Sequence, residues 1–459
     1  MNMMTKYLAL TLALLGALEV GARAERRRPV PNIEAFRAWM KQNPHPPMPV
    51  PGVTDEQTLG KELFSDVNLS LNRNQSCATC HSLTAAKHPV TGRSLGVTGF
   101  VDPENVRTGS AVSRGSVPGR FGKLNSPPVG YAAFSPQFHW DGVEGMYFGG
   151  QFWDGRAANL QDQAAEPFLG TNEMAMPSKW AVVTRLKENA GYREKFRAVF
   201  GINLDQIAGR DCAPASAKAP PGVFAAFDAL TRAIATFEKT RGVNRFTSKF
   251  DFYLAGMTEL SPVEKQGMEL FNFKGLCFRC HVSNPSIAPD GSVFPPLFTD
   301  FSYENIGVPR NTTIPGNPKP SQGLGGRKDV AARSPGGSQL GKFKVSSLRN
   351  IAVTAPYGHN GVFATLEEIV HFYNTRDVLG RVVSDQDPGF GVSGWTPPEV
   401  PLNVNFDEVG NLGLNPDEEA AIVAFLKTLT DKYPDLGGDP NVPPGTPSPF
   451  RTTPFPPFP

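Results

Sequence analysis

"SPVEKQGMELFNFKGLCFRCH", residues 261–281, holds two signals that together decide the fold. It ends in Cys277-Phe278-Arg279-Cys280-His281, and C-x-x-C-H is the attachment site of a c-type haem. The two thiols add to the vinyl groups, and the following His binds the iron on one face. It begins with Ser261 three residues before Glu264, a capping box that starts a helix leading into the haem loop. The chain carries this arrangement twice. "TDEQTLGKELF", Thr54–Phe64, precedes "CATCH", Cys77–His81, and both openings fit [S/T]-x-x-[E/Q]-x-x-G-x-E-L-F. A thioredoxin-like C-x-x-C or half of a zinc site requires no His directly after each pair.

The two halves also close alike. "AIATFEKT" (Ala233–Thr240) and "AIVAFLKT" (Ala421–Thr428) share A-I-x-x-F-x-K-T, and the second copy opens at Asn415-Pro416 with Glu418 completing a cap. The expected fold is therefore mainly α: two cytochrome c-like helical domains related by internal duplication, at 51–240 and 261–432. A linker is expected at 241–260, and an N-terminal extension at 25–50. Gly/Pro-rich stretches at 82–150, 283–345 and 378–414 read as long loop insertions on the helical frame. The Pro-rich segment 433–459 reads as an extended or disordered tail.

The 459 residues carry 45 Lys+Arg against 43 Asp+Glu, with no basic stripe. Nucleic acid and a strongly charged membrane surface are thereby disfavoured as partners. Lys6, the apolar "YLALTLALL" and the small residues around Ala22-Arg23-Ala24 form a secretory signal at 1–24, cut after Ala24. No later stretch approaches the roughly 18 apolar residues of a membrane-spanning helix. An exported, periplasmic protein is expected. Of five cysteines, four lie in the two haem motifs. Cys212, in "RDCAPASAKAPPG", is left over as a free or intermolecularly paired thiol.

Reactivity depends on the other face of each iron, since an electron-transfer cytochrome closes it with Met or His. No methionine follows His281. The nearby candidates for the second haem are His359, His371, Tyr303, Tyr357 and Tyr373, with Met257 or Met268 upstream. His371 and Tyr373 share the short amphipathic stretch "EEIVHFYNTRD" (367–377). On a helix they point about 200° apart, so at most one can face the iron. For the first haem, Met146, Met174, Met176, His88 and His139 are available, and a His/Met pair remains open.

From about residue 50 to 430 the chain resembles the bacterial di-haem cytochrome c peroxidases and the related MauG proteins, which mature a tryptophan-derived cofactor in a partner protein. The stretches carrying the resemblance are "LGKELF…CATCH", "NSP", "QFWDGRAANLQDQAAEPF…NEM", "CFRCH", "SLRNIAVTAPYGHNG" and "TLEEIVHFY". The resemblance implies two covalent haems c, Trp153 as an electron relay between them, and Gln163, Pro167 and Glu173 on the peroxide side of the first. A carboxylate there can move a proton between the peroxide oxygens and ease O–O cleavage. It also implies one calcium ion held by Asn125, Thr354 and the carbonyl of Pro356, which suit a hard cation.

Two departures from ordinary members bear on function. Such peroxidases carry a His midway between the first C-x-x-C-H and "NSP" that blocks the first haem. Here the loop 82–124 contains only His88, close to the motif, so a first haem open at rest is expected. The wording "HWDG" (139–142) repeats "FWDG" without the following Arg-Ala, which makes His139 and Trp140 weaker candidates. At the position of the usual axial Met, counted from "TAPY", this chain has Tyr373, as MauG-like members do. A phenolate ligand would favour oxidised iron and lower its potential. The leading expectation is an exported di-haem enzyme that uses hydrogen peroxide, with oxidation of a small exported partner protein favoured over a peroxidase reduced by an electron-donor protein. The alternative is a non-catalytic di-haem electron carrier. A haem-based sensor has no attached signalling domain to support it.

Overall fold

The computed structural model describes residues 32–43, 52–83, 99–287, 293–317, 319–450 and 452. The signal segment, most of the N-terminal extension and His88 lie outside them. The architecture is mainly helical, with four two-stranded sheets among the described residues. The helices that position the sites are α1 (Ile33–Gln42), α2 (Asp55–Ser65), α3 (Leu160–Leu169), α4 (Lys179–Glu188), α5 (Val223–Glu238), α6 (Lys249–Leu254), α7 (Pro262–Asn272), α8 (Leu366–Thr375) and α9 (Pro416–Lys427).

Each half is founded on one crossing pair, α2 on α5 and α7 on α9. The starts of three of these helices are fixed by reciprocal caps. Thr54 Oγ1 accepts from Gln57 N while Gln57 Oε1 accepts from Thr54 N, and the same exchange joins Ser261 with Glu264 and Asn415 with Glu418. Each cap satisfies two donors that a helix start otherwise leaves without partners. Two apolar cores follow. One joins Leu63 and Phe64 of α2 with Phe168, Val182, Phe227 and Ile234, the other Phe271 of α7 with Phe250, Phe298, Phe363, Phe372 and Phe425.

Part of the stretch expected as a linker packs into the second core. Phe250, Tyr253 and Leu254 of α6 belong to it, fully buried, because the sequence KFDFYL offers apolar side chains on every face of a short helix. Asp251 of α6 is ion-paired at 2.9 Å with Arg349, both without solvent exposure, and Arg349 also donates twice to the carbonyl of Pro296. The expectation of an extended or disordered tail is corrected for residues 433–450. Val442 and Phe450 are buried, Phe450 within the second core, and Tyr433 and Thr258 both hydrogen-bond Asp439. Proline removes backbone donors but leaves aromatic and aliphatic side chains free to pack. Part of the N-terminal extension packs as well, as α1. Its Arg37 is buried, donates to the carbonyl of Tyr253 and stacks over that ring at 3.7 Å.

The halves are tied through Tyr131. Its hydroxyl donates to Asp431 at 2.7 Å and accepts from the amide of Phe246 at 2.9 Å. Of the small sheets, β1 (His139–Asp141) pairs antiparallel with β2 (Met146–Phe148), setting Trp140 opposite Tyr147. β3 (Tyr303–Glu304) pairs with β4 (Phe343–Lys344), setting Tyr303 opposite Lys344.

Candidate di-haem site

The first C-x-x-C-H forms a single helical turn, Cys77–Cys80, which follows α2 after a 3-10 turn at Val67–Leu69. The thiols of Cys77, Cys80, Cys277 and Cys280 are in no disulfide. His81 directs Nδ1 to the carbonyl of Phe100 at 3.3 Å, and His281 directs Nδ1 to that of Phe298 at 2.9 Å. Burial pushes both imidazoles below their usual pKa and so towards the neutral form. A neutral ring whose Nδ1 is held by a carbonyl presents Nε2 to a metal, the form in which His ligates iron.

A cavity of about 750 Å³ opens beside the first motif. Its wall includes Cys77, Cys80 and His81, and also Trp153, Gln163, Pro167, Glu173 and Asn125. Residues separated by almost a hundred positions thus meet on one space. Gln163 and Pro167 come from α3, whose start is capped by Asn159. Glu173 follows on the next turn, where burial raises its carboxyl above the usual range against the pull of the Arg156 guanidinium. Arg156 is itself tied to Glu166 at 2.7 Å and Asp154 at 3.0 Å. The cavity fits a c-type haem in its chemistry: paired thiols, an imidazole, apolar walls, and two buried side-chain oxygens without protein partners, Gln75 Oε1 and Glu238 Oε2.

Trp153 is anchored at its indole nitrogen, which donates to the carbonyl of Asn125 at 2.8 Å. Asn125 is a hub: its amide donates to the carbonyl of His359 at 2.9 Å and its side chain to that of Pro356 at 3.2 Å. Two of the three residues considered for calcium therefore touch. The hydroxyl of the third, Thr354, donates to the carbonyl of Ile351 at 3.0 Å. His359 lies edge-on to Trp153 at 6.5 Å, stacks on Phe343 and pairs with Glu399 at 2.5 Å.

At the second motif, α8 separates its two candidates. His371 points to α9 and pairs with Glu419 at 2.9 Å. Tyr373 packs on the second core beside Cys277, and burial pushes its hydroxyl far above the ordinary tyrosine value. The remaining tyrosines are engaged elsewhere: Tyr303 donates to Gly149 and Tyr357 to Ile351. Of the methionines considered for the first haem, Met174 lines the cavity. His139 is exposed on β1, with Nδ1 at 2.8 Å from the carbonyl of Gln137.

Sequence reasoning did not single out Glu238 or Lys344, both on the cavity wall. Burial holds the Glu238 carboxyl up to about 8 and the Lys344 ammonium down to about 8. Lys344 donates to the carbonyl of Gly150 at 2.8 Å. Glu238 did leave a signal: the second copy of the closing motif has Leu426 at its place.

A sequence profile of the di-haem cytochrome c peroxidase family matches residues 54–259. The chain is 39% identical over 381 residues to the methylamine utilization protein MauG of Paracoccus denitrificans, covering 82% of this chain and 88% of that protein. It is 32% identical over 402 residues to the cytochrome c551 peroxidase of Nitrosomonas europaea, covering 85% and 86% respectively. Among solved structures, the diheme peroxidase BthA of Burkholderia thailandensis superposes with a TM-score of 0.64 at 28% identity, over 85% of this chain and 89% of that one. With two C-x-x-C-H motifs on duplicated helical frames, the chain belongs to the family of di-haem cytochrome c peroxidases and MauG, oxidoreductases that carry two c-type haems.

Proposed function

We propose that this protein reacts with hydrogen peroxide at its first haem site and uses the oxidising equivalents on a partner protein, as a MauG-like enzyme. The observation that carries this reading is one cavity walled together by the first haem motif, Glu173, Gln163, Pro167 and Trp153. Cys77 and Cys80 would hold the first haem with His81 as its axial ligand, and Cys277, Cys280, His281 and Tyr373 would hold the second. The haems, when bound, supply the redox chemistry of peroxide reduction. The Glu173 carboxylate takes a proton from one peroxide oxygen and returns it to the other, so that the bond breaks with water leaving. Gln163 offers an amide to orient the peroxide, and Pro167 limits the space. Trp153, fixed by its bond to Asn125, relays electrons between the two sites.

The preference for partner oxidation over reduction by a donor protein rests on Tyr373. Its packing on the same core as Cys277, with His371 turned to Glu419, supports an oxygen ligand at the second haem. Such a ligand favours oxidised iron. The partner is a small exported protein, in keeping with the signal segment at 1–24. A calcium ion between the halves, at Asn125, Thr354 and Pro356, would act structurally. Its support is the approach of Asn125 to Pro356, and the Asn125 amide must turn its oxygen to the ion.

Peroxide added to the ferric protein tests the reading. A long-lived oxidised species affecting the spectra of both haems is expected in the wild type and is lost in Tyr373→Met. The competing reading, an electron carrier, is favoured by Met174 on the cavity wall. It requires a low-spin resting first haem, whereas an open site gives a high-spin electron paramagnetic resonance signal.

A further inference from the structure

The β1–β2 hairpin, an element the proposed chemistry does not use, ends in exposed apolar side chains. Trp140 is 48% exposed and Val143 at the turn 92%. Trp140 is the exposed one among the five tryptophans. Trp140 is thus half packed on the hairpin and half open to solvent, where a molecule at the surface can meet it. Behind it the rings are continuous. Trp140 meets Tyr147 edge-on at 4.8 Å, Tyr147 stacks on Phe138 at 5.2 Å, and Phe138 meets Tyr303 edge-on at 6.0 Å. Tyr303 is buried at 1% exposure.

The inner end of this column abuts the relay loop. A β-carbon on Gly155 would fall 2.1 Å from the Tyr303 hydroxyl, so that hydroxyl lies against the chain two residues from Trp153. Tyr303 is also paired across the sheet with Lys344, whose amide donates to the carbonyl of Trp153 at 2.8 Å. Trp153 and Lys344 both line the cavity.

We propose that Trp140 is the surface terminus of an electron-intake route, Trp140–Tyr147–Phe138–Tyr303, leading to the Trp153 loop. This inference rests on the peroxide reading above and adds where electrons enter and from what chemical class: a one-electron reductant meeting the hairpin tip. Reduction of one hydrogen peroxide to two waters takes two electrons and two protons. Trp140 gives one electron inward and releases its indole proton to solvent. A reductant then returns one electron, is itself oxidised by one, and solvent returns the proton; the cycle runs twice for each peroxide. The charge does not rest on the inner rings. The Tyr303 hydroxyl donates to a backbone carbonyl, that of Gly149, which cannot take its proton. The Arg327 guanidinium sits 3.9 Å over Phe138 and disfavours a positive charge there. An indole in water is where the oxidised state can settle.

The test uses the haem-loaded protein with hydrogen peroxide and the radical trap 2-methyl-2-nitrosopropane, without reductant. Digestion and mass spectrometry then locate the trapped residue, while Soret absorbance reports reaction at the haem. The expected result is trap mass on Trp140 in the wild type, lost in Phe138→Leu with the Soret response kept. A Soret response with no adduct on Trp140, or with an adduct of equal yield in Phe138→Leu, overturns the route and leaves the peroxide chemistry standing. No Soret response overturns the peroxide reading, and the route with it. Since Phe138 also supports the hairpin, Trp140→Leu at the exposed tip serves as the second variant. There the adduct moves inward to Tyr147, and scattering over unrelated surface residues overturns the route.

Discussion

Gly60 of α2 lies directly beneath Ala233 of α5: a β-carbon on the glycine would come within 1.9 Å of the Ala233 carbonyl oxygen and 2.9 Å of Phe237 Cβ. In the second half Gly267 stands to Ala421 and Phe425 in the same way, at 1.8 and 2.9 Å. The partner at closest range is backbone, which cannot rotate aside, so the two helices must separate to admit a methyl group. Gly60→Ala and Gly267→Ala are each expected to destabilise by about 3 kcal/mol, although alanine is the better helix former by about 1 kcal/mol. Gly52→Ala, with nothing within 4 Å, should change stability by less than about 0.5 kcal/mol. Denaturant titration of the haem-loaded protein, followed by circular dichroism, reads all three.

His371 and Tyr373 sit on one helix and serve different neighbours, so their substitutions should separate cleanly. Tyr373→Met is expected to alter the ferric absorption spectrum and raise the reduction potential of the second haem, since a thioether favours reduced iron where a phenolate favours oxidised iron. His371→Gln should leave the spectrum unchanged. It removes a partly exposed pair with Glu419, at a cost of about 0.5–1 kcal/mol in stability. The reverse pattern in a redox titration would assign the ligand to His371.

Glu173→Gln keeps the shape of the cavity and removes the base. The reaction with peroxide in stopped flow should slow by roughly 10²–10⁴-fold. Burial raises the Glu173 carboxyl, and the carboxylate is the working form. The rate therefore falls as pH is lowered through that raised value, giving an acid limb above the ordinary carboxylate range. In Glu173→Gln the limb should vanish. A limb that persists in the variant assigns the proton transfer to another group.

The halves and their caps were legible in the sequence because each rests on a local pattern: a capping box, a C-x-x-C-H, a closing A-I-x-x-F-x-K-T; the crossing of Gly60 on Ala233 and Gly267 on Ala421 came only with the structure. The gathering of Trp153, Gln163 and Glu173 on the cavity beside Cys77 was expected only through family resemblance, since nothing in their spacing indicates that α3 and the turn after it face that loop. The packing of the joining segment and of the tail was not legible, for a physical reason. Composition reports how a segment behaves alone, whereas Phe250 and Phe450 are ordered by a core assembled from distant residues. Glu238 lies between these cases, visible as the one acidic interruption of a repeat that has Leu426 in its other copy, yet without meaning until the cavity beside it is seen.

Glu238 yields the last prediction. Its carboxyl is buried, Oε2 has no hydrogen-bond partner among the described residues, and burial holds it up to about 8. The folded protein thus binds a proton there that the unfolded chain has released above about pH 4.5. Between those two values stability falls as pH rises, because the native state holds more protons than the unfolded state. The loss has an upper bound of roughly 5 kcal/mol for a group shifted this far. Glu238→Gln retains the size and polarity of the side chain and cannot ionise. The variant should match the wild type in denaturant stability near pH 5 and exceed it increasingly toward pH 8. Parallel stability curves across that range would mean that Glu238 is charged in the native state and compensated by a partner on the cavity side.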